Sequence, residues 1–210
     1  MADNYIGKKM EDYMAGRSAS PARKTQSLER LLRKNRSYRG YDSSYEVRAD
    51  QLRRIIEVNR LTPSAMNQQV LRFRPVLKDE ACKVLPHIRL GGALPELKLP
   101  LATTEPNAFI VVCTDAVGRY VDIDLGISAQ SMLLKAAEIG LNGICIAAFN
   151  SDEVQKALAL PLKPVLIIAI GRGAEKIELT DISENESHTY YRKDGVHYVP
   201  KVRLEDLIIK

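Results

Sequence analysis

Two short, uninterrupted apolar runs constrain the fold of this chain most strongly. AFIVVC at 108–113 and VLIIAI at 165–170 hold no charged or strongly polar side chain. Strands covered on both faces have this pattern, because neither face has to be solvated. The two runs therefore predict central strands of one sheet, with other elements packed on both sides of it.

The segment between these runs predicts a long buried helix from Asp122 to Ile139. It is apolar nearly all round, and a helix without a polar face lies in a large core or between subunits. The apolar side chains expected to share one side are Ile123, Ile127, Leu134 and Ala137. Strands mixed with helices, without a repeat or a low-complexity linker, predict a single α+β domain.

Further patterns place shorter elements around this centre. In LRFRPVL at 71–77 apolar residues alternate with arginines, which predicts a strand, and Pro75 places it near a sheet edge or a strand end. The spacing from Leu52 to Asn59 predicts a helix that is capped by Asp50 and stops at Pro63.

Three other segments have weaker signals. Leu28, Leu31 and Leu32 have helical spacing, and Asn150 stands at capping-box distance before Glu153. The C-terminal LEDLIIK fits a helix or a strand equally well.

The positive charge of the chain is concentrated at its start. The chain has 210 residues and a net charge of +5, and residues 1–39 contain ten Lys or Arg and four Asp or Glu. A polyanion-binding surface would need such an excess, but so would a single phosphate site, and a solvated basic helix face explains it as well. We expect residues 1–30 to form a helical leader and residues 31–210 the single domain.

The remaining composition predicts a cytoplasmic protein that does not bind a membrane. We also expect no nucleic-acid partner, because the basic segment has no stripe of interleaved aromatic residues. The three cysteines contain no CxxC pair, which is typical of reduced thiols. No apolar stretch approaches the roughly 18–20 residues that cross a bilayer, and the charged N-terminus lacks the apolar core of a signal peptide.

The usual signatures of side-chain catalysis are missing. The three histidines have no metal-ligand spacing, so we expect no metal, and neither a GxSxG elbow nor a P-loop occurs. Gly171 and Gly173 follow a predicted strand, but two glycines indicate a strand-exit turn more than a dinucleotide fingerprint. If the chain is an enzyme, a cofactor is expected to supply the chemistry.

Two polar clusters are candidates for holding such a cofactor. In NRSYR, Arg36, Ser37 and Arg39 offer two guanidiniums and a hydroxyl, the donors that a phosphate monoester needs. The alternative is a solvated basic helix end. In TPSAMNQQ at 62–69, neutral hydrogen-bonding side chains crowd one turn and would suit a planar heterocycle; the same residues also form ordinary turns.

These clusters, followed by DLGISAQSMLLKAAEIGLNGICIAAF and PVLIIAIGRG, occur in an order that resembles the nitroreductase family of FMN-dependent oxidoreductases. The resemblance runs from about Arg36 to the C-terminus. It implies a three-layer α+β sandwich, in which helices flank a mixed, mainly antiparallel sheet, and an intertwined homodimer with FMN at the subunit interface. The long apolar helix would then lie between the subunits.

The resemblance also assigns site residues. Arg36, Ser37 and Arg39 would hold the FMN phosphate and the polar atoms at the flavin edge. A loop from the partner subunit would also reach the flavin. That loop corresponds to Pro63, Ser64, Ala65 and Asn67, with Gln69 as its polar neighbour. Near flavin N5 would lie Cys145, Ala147 and Ala148, where many relatives have Glu-Gly at the last two positions. The remaining candidates are Asp124 near the ribityl chain and Arg172, Arg192 and Lys193 for the phosphate.

Each of these weaker assignments has a structural alternative. Cys145 fits a small core residue, and Asp124 fits a solvent-facing residue at a helix start, where the dipole favours it. Arg192 and Lys193 stand in a polar stretch that reads as a solvated loop. Residues 83–104 are expected to shape the pocket, with Arg89 and Lys98 available to an anionic substrate or coenzyme.

The implied reaction is a ping-pong oxidoreduction. NADH or NADPH would pass hydride to the flavin and leave, and a small-molecule acceptor such as a nitroaromatic or a quinone would take the electrons. No catalytic side chain is then required. A specialised reaction on the same fold, such as reductive dehalogenation or flavin fragmentation, is the alternative, and a basic nucleic-acid-binding module is a third hypothesis.

Overall fold

The computed structural model describes residues 26–90, 99 and 103–209. Residues 1–25 of the expected helical leader, which was predicted for residues 1–30, lie outside this range, and the proposed boundary after residue 30 falls within the helix Leu28–Lys34. The α-helices are α1 (Leu28–Lys34), α2 (Ala49–Glu57), α3 (Arg119–Glu138), α4 (Ser151–Ala157) and α5 (Leu204–Leu207). The strands are β1 (Arg72–Val76), β2 (Ala108–Cys113), β3 (Asn142–Ile146), β4 (Pro164–Gly171), β5 (Lys176–Ile182), β6 (Tyr191–Lys193) and β7 (Val196–Val202).

The main sheet has four strands in the order β1-β2-β4-β3, and every neighbouring pair is antiparallel. The two predicted apolar strands are its central pair, β2 and β4, and all six residues of β2 are buried. The arginine-containing strand β1 forms an edge, as Pro75 predicted. The proline nitrogen has no hydrogen to donate, so an edge strand accommodates it.

Helices cover both faces of this sheet, which confirms the predicted α+β sandwich. One buried cluster joins the sheet to α2 and α3 through residues such as Leu52, Ile110 and Met132. The opposite face packs against α4 and the short helical turns Ala81–Lys83 and Leu85–His87, around Phe109 and Ile167. Burial of the sheet on both sides explains why its central strands can be continuously apolar.

A second sheet of three strands has the order β5-β7-β6. Strands β5 and β7 are parallel, whereas β6 and β7 form an antiparallel hairpin. Asp194 and Gly195 connect the hairpin with positive φ angles of 50° and 75°, which suit a tight two-residue turn. Arg192 and Lys193 are therefore in a strand and not in the expected loop, although both are exposed, as that expectation implied.

The helix boundaries correct two further expectations. Helix α2 begins after Arg48, which occupies the N-cap position, and Asp50 lies in its first turn instead. The helix ends at Glu57 and continues only as a short 3-10 turn, Val58–Arg60, well before Pro63.

Three other boundary expectations have clear outcomes. The side chain of Asn150 accepts the backbone N–H of Glu153, so it caps α4 as predicted. The C-terminal LEDL forms a single helical turn, α5. Within the described part of the chain, no helix is both long enough and apolar enough to cross a membrane.

Candidate functional site

The segment from Arg36 to Tyr41 lies across the ends of β3 and β4. Ser37 forms a parallel bridge with Gly143, and Tyr41 forms an antiparallel bridge with Gly173. These pairings fix the backbone of the arginine cluster against the rigid sheet. The cluster is therefore part of a held surface and not a solvated helix end.

Gly171 and Gly173 make room for this segment. A Cβ atom at Gly171 would lie 2.6 Å from the ring of Tyr41, and one at Gly173 would collide with the ring of Tyr38. Gly171 is the last residue of β4 and Gly173 bridges to Tyr41, so the expected strand-exit turn is instead a stretch of backbone against which two tyrosine rings pack.

A cleft of about 370 Å³ opens beside this segment, between α3 and β3 on one side and the second sheet on the other. Arg36, Ser37, Arg39 and Cys145, all predicted site residues, line it together. Lys201 adds a third cationic side chain, and no Asp or Glu of the described residues lines the cleft. An anion would therefore meet only positive or neutral side chains.

Arg39 is the most deeply placed of the three cations. Only 8% of it is exposed, its Nη1 donates to the Ser37 carbonyl oxygen at 3.1 Å, and its guanidinium carbon lies 4.8 Å from the centre of the Tyr190 ring. Its buried Nε makes no hydrogen bond with the described residues. A buried charged donor without a partner is costly, so the cleft is suited to an acceptor group.

Arg36 lies nearer to the rim and is half-buried. Its Nε donates to the Asn35 carbonyl oxygen at 2.6 Å and its Nη2 donates to the Leu32 carbonyl oxygen at 2.7 Å, at the C-terminal end of α1. Burial lowers the pKa of its guanidinium from the usual value. The side chain is thus preorganised by the helix end, with part of its hydration already removed.

His197 is a second buried polar group on the wall of the cleft. It is 3% exposed, and its Nδ1 has no hydrogen-bond partner among the described residues. Its ring contacts the ring of Tyr190, with centres 5.1 Å apart. Burial lowers the pKa of His197, and the charges of Arg39 and Arg192 lower it further, so the ring is neutral at pH 7.

Cys145 is exposed towards the cleft from β3, so it is not the core residue that the alternative interpretation suggested. The surrounding protein nevertheless raises the pKa of its thiol to about 11. Because the thiolate is the reactive form of cysteine, this residue is a poor nucleophile at neutral pH.

The loop at 62–69 lines a different cavity, of about 400 Å³, which includes Pro63, Ser64, Gln69 and Asp124. Three of the loop's residues, Met66, Asn67 and Gln69, have φ angles of 51°, 52° and 45°. Such left-handed conformations are uncommon outside glycine and cluster at functional sites. The loop is therefore a constrained structure and not an ordinary surface turn.

Asp124 is the anchor of this loop. It is 5% exposed and its carboxylate accepts the backbone N–H of Ala65 at 2.9 Å and the side-chain amide of Gln68 at 2.9 Å. The alternative that Asp124 faces solvent was wrong. Because Ala65 and Gln68 are 59 and 56 residues away in sequence, helix-start statistics contained no sign of this contact.

Ala147 and Ala148 line a third cavity, of about 770 Å³, at the end of β3. The Ala148 carbonyl oxygen accepts the backbone N–H of Arg89 at 2.8 Å, and Arg89 and Lys163 also line this cavity. Lys98 lies outside the described residues.

The three remaining cationic candidates do not line the cleft of Arg36. Arg172 packs 3.9 Å above the ring of Tyr45 and lies 3.8 Å from Asp42. Arg192 forms an ion pair with Glu175, and Lys193 is exposed on β6.

Sequence reasoning missed part of the cleft wall. His197 and Lys201 come from β7 of the second sheet and Tyr190 directly precedes β6, and all three line the cleft with Arg36 and Arg39. The turn dipeptide Asp194-Gly195 was a usable signal, because it predicts the hairpin that positions two of them. The parallel pairing of β7 with β5, which places Lys201, had no local sequence signal.

Comparisons with known proteins agree with this architecture. Residues 101–172 match the model of the nitroreductase family. A protein of Methanocaldococcus jannaschii described as a candidate nitroreductase is 33% identical over 57 residues, which span 27% of this chain and 29% of the length of that relative.

Solved structures resemble the chain over a larger part of its length. A nitroreductase family protein of Streptococcus pneumoniae superposes with a TM-score of 0.63 at 17% identity, covering 88% of this chain and all of that one. A structure described as a nitroreductase-like protein of Desulfovibrio desulfuricans in complex with FMN has a TM-score of 0.59 at 24% identity, covering 71% of this chain and 88% of that one. The resemblance inferred from the motifs is thereby confirmed.

Proposed function

We propose that this chain, which has the nitroreductase fold and matches that family's model over residues 101–172, is an FMN-dependent oxidoreductase. In this proposal NADH or NADPH delivers hydride and a small-molecule acceptor, such as a nitroaromatic or a quinone, takes the electrons in a ping-pong reaction. The observation that carries the proposal is the cleft, in which the described residues provide three cations, no carboxylate and a buried Arg39 Nε that none of them accepts from.

The groups in the cleft fit a phosphorylated, planar cofactor. Arg36, Arg39 and Lys201 would neutralise a phosphate that carries close to two negative charges. The volume of about 370 Å³ lies in the range of small-molecule sites. The relative from Desulfovibrio desulfuricans, which has the same fold, was solved with FMN.

The chemistry would come from the cofactor and the binding from the protein. Bound FMN would supply an acceptor for hydride at its N5 atom. The thiol of Cys145 stays protonated at neutral pH, since its pKa is raised to about 11, and is therefore assigned no nucleophilic role. The chain's own contribution is to bind the phosphate, orient the ring and hold donors near it.

The distribution of the candidate residues supports a homodimer with shared sites. None of Pro63, Ser64 and Gln69 lines the cleft of Arg36, so the loop at 62–69 would complete a site on the partner subunit. Helix α3 supports the same arrangement, because Ile123 is 45% exposed although the opposite side of the helix is buried. In a dimer, this apolar side would be covered.

The third cavity, beside Ala147 and Ala148, is our candidate for the route by which the co-substrates would reach the flavin. Arg89 and Lys163 could meet an anionic nicotinamide coenzyme there, beside the exposed Ala147 and Ala148. Because both co-substrates would use one flavin face in turn, no separate dinucleotide-binding domain is needed.

A visible absorption spectrum tests the proposal most directly. The purified full-length chain, reconstituted with FMN, should be yellow and should lose its flavin absorbance when NADH or NADPH is added without oxygen. Re-oxidation by a nitroaromatic or a quinone tests the acceptor class, and light scattering during gel filtration tests the dimer. Protein that cannot be loaded with FMN would overturn the proposal.

A further inference from the structure

Glu175 connects the arginine segment to the second sheet. Its Oε2 accepts the backbone N–H groups of Arg39 and Gly40, the latter at 3.0 Å, and its Oε1 pairs with the guanidinium of Arg192 on β6. The side chain of Glu175 is only 10% exposed, and that of Arg192 is 33% exposed. Glu175 is thus the least exposed carboxylate of the ion pairs among the described residues, and charged contacts of a buried group are stronger than those of exposed ones.

The residue at position 40 is matched to this contact. A Cβ atom on Gly40 would lie 3.3 Å from Cγ of Glu175, which is tighter than ordinary van der Waals contact. The absence of a side chain at Gly40 therefore allows the carboxylate to lie directly against the backbone.

The contact also determines what the neighbouring arginines can do. The backbone N–H of Arg39 is held by Glu175, while its guanidinium is held by the Ser37 carbonyl oxygen and the Tyr190 ring. Arg192, in contrast, directs its charge at Glu175 and does not line the cleft of Arg36. Arg39 therefore lines the cleft, whereas the charge of Arg192 is paired with that of Glu175.

We propose that Glu175 is a positioning residue for the cleft, and that Arg192 acts through Glu175 and not as a phosphate ligand. This inference rests on the proposed FMN function. Glu175 fixes the backbone at Arg39 and Gly40, so that the buried guanidinium is preorganised for an anion. Arg192 holds Glu175 in that position from the second sheet.

The test is an FMN titration of the full-length chain and its Glu175→Gln variant, with flavin fluorescence as the signal. The Gln side chain keeps the size but loses the charge that strengthens three contacts, so the Kd for FMN should rise roughly 10- to 100-fold. Glu178→Gln is the matched control. Glu178 pairs with Lys176 on the same β5 strand in an exposed contact of 2.8 Å, so its Kd should stay near that of the original chain.

A double-mutant cycle separates the two roles of Arg192. If Arg192 acts only through Glu175, the double variant Glu175→Gln, Arg192→Gln should bind FMN about as weakly as Glu175→Gln alone. If Arg192 contacts the phosphate, the two losses should multiply, and that result would overturn the inference. Arg192→Lys, which keeps the ion pair, should recover most of the affinity lost in Arg192→Gln.

Amide hydrogen exchange provides a readout that needs no cofactor. The exchange of the Gly40 amide should accelerate in Glu175→Gln and not in Glu178→Gln. Unchanged exchange, or an unchanged Kd in a chain that binds FMN, would overturn the positioning role and leave the proposed function standing. A chain with slow Gly40 exchange that binds no FMN would overturn both the proposed function and the cofactor role of Glu175.

Discussion

The carboxylate of Asp124, in the second turn of helix α3, accepts the backbone N–H of Ala65 at 2.9 Å. This hydrogen bond joins the helix to the loop at 62–69. A second loop residue, Gln68, donates its side-chain amide to the same carboxylate at 2.9 Å. The loop has three non-glycine residues at positive φ, and each such conformation costs on the order of 1–3 kcal/mol, which surrounding contacts must offset. Asp124 supplies part of that restraint.

Replacing Asp124 with alanine should therefore destabilise the chain and release the loop. The part-buried Ala65 N–H would lose its carboxylate acceptor, and we expect the free energy of unfolding to fall by about 1–3 kcal/mol. Urea unfolding would measure this loss. Asp122→Ala, an exposed change on the same helix, should cost less than half as much; equal losses in the two variants would contradict the anchoring role.

Asn67 separates a backbone effect from a side-chain effect in the same loop. Its φ angle of 52° is tolerated by asparagine and glycine better than by alanine. We expect Asn67→Ala and Asn67→Gly to retain FMN while the flavin reduction potential shifts in both, because both lack the amide. Potentiometric titration would measure the shift. A shift in the alanine variant alone would identify backbone strain as its cause and contradict a direct amide contact.

The predictable part of the fold was the part set by burial pattern. A continuous apolar run indicates a strand that is buried on both faces of its sheet, so the strand Ala108–Cys113 was predicted with the bounds that the structure has. The apolar helix was found for the same reason, although it begins at Arg119 and not at Asp122. Its N-cap position is Gly118, which has no capping side chain and thus gave no start signal.

The unpredictable part of the site depends on contacts between distant segments. Asp124 had two reasonable local interpretations, and the contact with Ala65 that decides between them spans 59 residues. Likewise, the cleft gains Lys201 only because β7 pairs in parallel with β5. Periodicity and capping rules describe neighbours in sequence, so they contain no information on which segments meet in space.

Arg36 should matter more for cofactor binding than for folding. In Arg36→Ala the phosphate would lose one charged donor, and we expect the Kd for FMN to rise roughly 10- to 100-fold. The side chain also donates to two carbonyl oxygens at the end of α1, worth about 1 kcal/mol of stability. Flavin fluorescence and urea unfolding measure the two effects.

Arg33→Ala is a suitable control for that experiment. Arg33 is on α1, three residues before Arg36, but its side chain is 69% exposed and pairs with Glu29 at 2.9 Å. Its removal should leave the Kd nearly unchanged, because exposed pairs contribute little. An Arg36→Ala chain that retains FMN as tightly as Arg33→Ala would exclude Arg36 as a phosphate ligand.

The buried imidazole of His197 should make the stability of the chain depend on pH. Its pKa is lowered by burial first, then by Arg39 and Arg192, with Glu175 acting in the opposite direction. As the pH falls, the unfolded chain therefore binds a proton on this residue before the folded chain does. The free energy of unfolding should consequently decrease as the pH falls from about 7 through the unfolded pKa of about 6.5 and below. Urea unfolding between pH 7.5 and roughly pH 5 would measure this dependence. In His197→Gln the free energy of unfolding should depend less on pH over this range. His188→Gln, a change at an exposed histidine, should leave the dependence as it is. A profile of the same slope in His197→Gln and in the original chain would show that other groups cause the acid sensitivity.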